Sequence, residues 1–91
     1  MRYKQAIQIG DNVTDIMKLP CVMECHKRDI FRGGHRIEFY YVLDSRRMKA
    51  PGWQFGHEGD WLCEDYDGRW HLLTDKEYKD GLEYREQCAG A

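Results

Sequence analysis

Apolar and polar residues alternate most regularly along His35–Leu43. Ile37, Phe39, Tyr41 and Leu43 fall on one side of an extended chain, and Arg36, Glu38, Tyr40 and Val42 on the other. Both sides carry apolar groups, so this stretch reads as a central strand. Gly59–Glu77 is punctuated more sharply. Trp61–Asp65 predicts a strand, Asp67-Gly68 a turn and Arg69–Leu73 the returning strand, because Gly accepts a positive φ and Asp bonds back to its own backbone. Period-2 geometry puts Trp61 and Cys63 on one face of the first strand. In the second, Trp70 and Leu72 lie opposite Arg69, His71 and Leu73. The register between the two strands stays open, and with it which tryptophan faces the core. Thr74-Asp75-Lys76-Glu77 is a capping box that starts a helix, with acidic residues suited to its dipole. Tyr78 and Leu82 share a face of that helix. Gly81 weakens it by about 1 kcal/mol relative to Ala, so the helix ends there or runs on to about Gln87. Cys88–Ala91 reads as a frayed tail.

The remaining elements follow from the same signals. Lys4–Ile9 predicts a strand, and Gly10-Asp11-Asn12 stops it and supplies a helix N-cap. Val13, Ile16 and Met17 have helical spacing, and Pro20 ends that short helix. Cys21–Cys25 reads as a strand, and Gly33-Gly34 as a hairpin link. Asp44–Arg47 is a polar loop, Met48–Ala50 a brief strand and Pro51-Gly52 a turn. Trp53–Gly59 is glycine-punctuated and reads as an irregular crossover. Together these predict one small α+β domain over residues 1–91. It has about five antiparallel strands in a bent sheet or small open barrel, and two short helices.

Composition narrows the class. A hydrophobic content of 42% and an aromatic content of 13% suffice for a core and argue against disorder. The longest apolar run, Phe39–Leu43, is far too short to span a membrane, and the start of the chain lacks the apolar segment of a secretory signal. The expected compartment is therefore the cytosol, where Cys21, Cys25, Cys63 and Cys88 stay thiols; Cys63 reads as a small core residue. The net charge of −2 is unevenly placed. Residues 1–50 hold ten Lys/Arg against six Asp/Glu, and residues 51–91 hold four against ten. Such asymmetry suits self-association or a charged partner.

Three kinds of chemistry bear on these residues. Cys21, Cys25, His26 and His35 could approach a zinc ion, but two thiols four apart on a strand lie about 13 Å apart, and no second Cys pair completes a tetrahedral set. No metal or other cofactor is expected. His57, Glu58, Asp60 and His71 could meet near the hairpin with Cys63 as nucleophile, yet the chain has no nucleophile elbow and no phosphate loop, and Gly33-Gly34 lacks the context of one. An enzyme is not expected. Binding fits better. Trp53, Phe55, Trp61 and Trp70 crowd one window, and those not needed for the core form stacking surfaces. Arg69 and His71 flank Trp70, and Arg36 belongs to a basic stretch. The candidate ligand site is therefore Trp53, Trp61, Trp70, Arg69, His71 and Arg36. Its chemistry suits a small nucleotide or an acidic protein surface, and a negative chain disfavours long duplex DNA.

Lys4-Gln-Ala-Ile-Gln-Ile-Gly-Asp-Asn near the start, Gly59-Asp-Trp-Leu, the Asp67-Gly68 turn and Leu73-Thr-Asp-Lys-Glu-Tyr together resemble a group of small bacteriophage and prophage proteins. The likeness is firmest over Gly59–Tyr78, and Glu58 stands where that group often has Pro. The resemblance implies an accessory protein of the bacterial host cytosol and carries over no catalytic residues. By analogy with phage accessory proteins of this size, the expected function is stoichiometric binding that opposes host defence, by occupying a host protein or sequestering a nucleotide signal; a homo-oligomer would fit, since a small domain gains core and pocket walls by pairing. A structural or virion-associated module is the alternative expectation, and a small enzyme the third.

Overall fold

The computed structural model describes residues 3–81. Its elements are β1 (Gln5–Gln8), α1 (Val13–Met17), β2 (Val22–Ile30), β3 (Arg36–Leu43), β4 (Phe55–His57), β5 (Trp61–Glu64) and β6 (Trp70–Leu73). A further helix, α2, covers residues 75–81. The expected α+β class holds, but the architecture differs in two ways. Among the described residues there are six strands rather than about five, and they form two antiparallel sheets, β1–β5–β6 and β2–β3–β4, in place of one bent sheet or small open barrel.

The additional strand is β4. Its glycines make the segment look irregular in sequence, yet Gly56 pairs with Tyr41 of β3. A Cβ at Gly56 would sit 2.7 Å from Ile9 Cδ1. The missing side chain lets the strand pass close over the core. Gly59, at φ 92°, then turns the chain into β5, and the Asp60 carboxylate accepts the His57 backbone N–H across that turn at 3.1 Å.

β2 is also longer than the predicted Cys21–Cys25. It continues through the basic stretch, in register with β3 from Val22↔Leu43 to Ile30↔Arg36, with one irregularity between Val22 and Glu24. Gly33 and Gly34, both at positive φ, link the two strands as a hairpin.

A backbone stitch joins the sheets. At one end the Trp70 N–H donates to the Arg47 carbonyl at 2.9 Å, and the Lys49 N–H donates to the Trp70 carbonyl at 2.8 Å. The predicted strand at Met48–Ala50 is thus a single parallel bridge, Met48↔Trp70. At the other end the β1–β5 ladder runs one rung further: the Ile9 N–H donates to the Asp60 carbonyl and the Gly59 N–H to the Ile9 carbonyl, each at 2.8 Å. The core consists of Ile9, Ile16, Cys21, Tyr41, Leu43, Met48, Leu62 and Trp70. Burying an indole of this size is worth about 4–6 kcal/mol before entropy is counted.

The helices follow the sequence in part. The capping box forms as expected: the Thr74 N–H donates to Glu77 Oε1 at 3.0 Å and the Glu77 N–H to Thr74 Oγ1 at 3.1 Å. Asn12 precedes α1 but makes no side-chain cap. Its amide instead closes the preceding turn, donating to the Gln8 carbonyl and accepting the Gly10 N–H. The Tyr78–Leu82 pair, the end of α2 and the tail at Cys88–Ala91 lie wholly or partly outside the described residues.

One polar group in the core stands out. The Tyr41 hydroxyl is buried without a well-aligned hydrogen-bond partner among the described residues, and burial, then the neighbouring Cys25 thiol, pushes its pKa up to about 12. Removing an unsatisfied buried hydroxyl relieves its desolvation cost. Tyr41→Phe is therefore expected to stabilise the fold by about 1 kcal/mol in chemical denaturation. Gly56→Ala is expected to lower stability by about 1–3 kcal/mol in the same assay, because its methyl enters space held by Ile9.

Candidate functional site

Strand alternation divides β3 cleanly. Tyr41 and Leu43 enter the core, so Glu38, Tyr40 and Val42 turn to the other face. The register then sets His26 of β2 and His57 of β4 beside Tyr40. The three rings form one row across three strands. His26 stacks on Tyr40 at 5.4 Å between centroids and 22°, and Tyr40 stacks on His57 at 6.0 Å and 18°. Phe55 meets Tyr40 edge-on at 6.5 Å. At the outer end of the row, His26 Nε2 lies 2.8 Å from Glu24 Oε2.

The next row along the hairpin is ionic. Arg28 donates through Nε and Nη2 to Glu38 Oε2, at 3.0 and 2.9 Å. Glu38 is buried, so this pairing answers a desolvated carboxylate. Past it come Ile30 and Arg36, paired in register, and then Phe31 stacked on His35 at 4.9 Å. Two shallow cavities meet at Arg28. One, of about 280 Å³, is lined by Arg28, Tyr40, Phe55 and His57. The other, of about 560 Å³, takes in Arg28, Phe31, Arg32 and Arg36. The result is a groove with aromatic rings at one end and guanidinium groups at the other.

The six residues singled out in the sequence do not share one site. Register places Trp70 on the Leu62 face of the β5–β6 hairpin and Trp61 on the opposite face. Trp70 is 1% exposed and belongs to the core. Trp61 stacks on Tyr78 at 3.9 Å and donates from Nε1 to Asp75 Oδ1 at 3.0 Å. Trp53 is 67% exposed, just ahead of β4. Arg69 donates from Nη1 to the Arg46 carbonyl, and His71 is hydrogen-bonded to Asp65 at 2.7 Å. Arg36 alone lies in the groove described above. Tyr40, His26 and His57 were missed because the row needs β4 and the second half of β2, neither of which was assigned as strand. The alternation Glu24, His26, Arg28 was the available signal.

The other constellations also separate. Cys21 is fully buried, its thiol pushed up to about 12 by burial. Among the described residues no three His, Cys, Asp or Glu side chains gather as a metal would require. Cys63 faces His71 across the hairpin but is fully buried, while His57 lies in the other sheet. No helix among the described residues is long and apolar enough to cross a membrane. The chain matches no protein-family model, no curated protein and no solved structure.

Three carboxyls are held below the ordinary aspartate range. Hydrogen bonds from Arg46 lower Asp44, the hydrogen bond to His71 lowers Asp65, and Lys79, then Trp61, lower Asp75. A depressed folded-state pKa favours folding above the unfolded value, and that contribution disappears as pH falls through the folded value. The thermal midpoint is expected to begin falling below about pH 5 and to fall most steeply below about pH 4. A scan from neutral to acid pH checks this; a midpoint that rose through that window would contradict the pairings.

Proposed function

We propose that the protein is a non-enzymatic binding module that captures a nucleotide on the open face of the β2–β3–β4 sheet. The observation that carries this reading is the His26–Tyr40–His57 row with Phe55 beside it, at the mouth of a groove that leads to Arg28 and Arg36. Planar rings on a sheet face accept bases by stacking, and each stacked base is worth about 1–3 kcal/mol. Guanidinium forks further along take the phosphate. The net charge of −2 argues against a long duplex as the ligand. Taken with the resemblance to phage accessory proteins, capture would withdraw a nucleotide signal from host defence by stoichiometry rather than turnover.

Calorimetric titration with nucleoside mono- and diphosphates tests the reading. Tyr40→Ala is expected to weaken binding by about 5- to 150-fold, with the far-UV circular dichroism unchanged. Trp61→Ala, in the other sheet, leaves affinity as it is. The reading fails if no nucleotide binds at millimolar concentration, or if Tyr40→Ala binds as tightly as the parent protein.

A further inference from the structure

A separate cluster of three guanidinium groups lies at the junction of the two sheets. Arg46, Arg47 and Arg69 line a cavity of about 470 Å³, with Gly68 at its rim. The first two sit in the turn after β3, and Arg69 immediately precedes β6. Like charges do not gather without cost, so what holds these together matters.

The backbone holds them. Trp70 and the 47–49 segment exchange two hydrogen bonds, and both Met48 and Trp70 are buried. The two elements that carry the arginines are thereby fixed to each other through the core. Arg69 adds a third tie, donating from Nη1 to the Arg46 carbonyl at 3.0 Å. Asp44 shapes the turn: it accepts the Arg46 backbone N–H, and its two oxygens take Nε and Nη2 of the Arg46 side chain at 3.1 and 3.2 Å. On the other side of the cluster the Asp65 carboxylate accepts the Arg69 backbone N–H at 3.0 Å and is hydrogen-bonded to His71 rather than to a guanidinium group. The Arg47 side chain makes no hydrogen bond or ion pair among the described residues. Three guanidinium groups thus stand on backbone that is tied through the core, in a chain whose net charge is −2.

We propose that Arg46, Arg47 and Arg69 form a phosphate-binding site, distinct from the stacking groove on the β2–β3–β4 sheet. A carboxylate has two oxygens and satisfies one guanidinium fork. A tetrahedral phosphate presents three or more and can engage forks from several directions. Arg47 supplies the unengaged fork, Arg69 the arm held flush against the turn, and Arg46 the donors that Asp44 leaves free. Because the supports are backbone and core, binding needs little ordering of the loop itself.

The test uses inorganic pyrophosphate and adenosine monophosphate as probes, titrated calorimetrically against the whole chain at low ionic strength. Saturable pyrophosphate binding is expected. Arg47→Gln should weaken it at least about tenfold, and Arg47→Lys should restore part of the loss, because it keeps the charge without the fork. Arg47 is the informative position, since its side chain makes no hydrogen bond among the described residues; Arg69→Gln also removes a tie to the turn and is read alongside circular dichroism. Lys18→Gln, at an exposed cation outside both clusters, should leave pyrophosphate affinity unchanged. Pyrophosphate binding more tightly than adenosine monophosphate supports a free phosphate ligand, and the reverse order supports phosphate carried on a nucleoside. The proposal is overturned if the parent protein binds no pyrophosphate, if Arg47→Gln binds it normally, or if Tyr40→Ala abolishes its binding. Pyrophosphate bound with Arg47 dependence, while Tyr40→Ala leaves nucleotide affinity untouched, would sustain this site and sink the stacking groove.

Discussion

Trp70 donates its backbone N–H to Arg47 and accepts one from Lys49, while its indole is sealed in the core. Each three-stranded sheet on its own has one face to bury and too little chain to bury it with. The exchange at Trp70 ties the sheets together, and each becomes the other's cover. Most other packing follows from that arrangement. Tyr41 and Leu43 point inward because the partner sheet is there, Gly56 must lack a side chain because Ile9 lies against it, and Met48 is pulled out of its loop into the core.

The same constraint creates the aromatic face. A strand covered on one side sends every second residue to the other. In β3 those residues are Glu38, Tyr40 and Val42, and α1 contributes Ile16 to the core side rather than covering them. The ring row therefore owes its exposure to the economy of a small fold: 91 residues supply one core, not two. The arginine cluster has a related origin. It sits where backbone from both sheets must meet, and the residues of such a junction are fixed in place whatever their side chains do.

Much of the fold was legible in the chain. The last hairpin, the capping box, the Gly33-Gly34 link and the long β3 all announced themselves through local turn chemistry and period-2 alternation. What stayed hidden depended on distant partners. β4 carries too many glycines to look like a strand, and only the approach of Ile9 explains Gly56. The basic half of β2 has no apolar alternation to read, since its pairing rests on β3 and not on burial. The candidate site suffered most. Three tryptophans close in sequence suggested a cluster, but the register sends Trp61 and Trp70 to opposite faces. The ring row draws one residue from each of three strands, and no single window of sequence contains it.

β2 lies at the edge of its sheet, so one side of a nine-residue strand has no partner strand among the described residues. An open edge of that length is a template for other chains. Glu24, His26, Lys27, Arg28 and Asp29 fall in the middle of it. If two copies met antiparallel in full overlap of Val22–Ile30, Glu24 would oppose Arg28 and His26 would oppose its own copy, so carboxylate would face guanidinium. A slip of one residue would set Glu24 against Asp29 and His26 against Lys27 instead. The strand's charges, poor as a folding signal, thus favour one register of self-pairing over its neighbour through where they stand rather than through how many remain uncancelled.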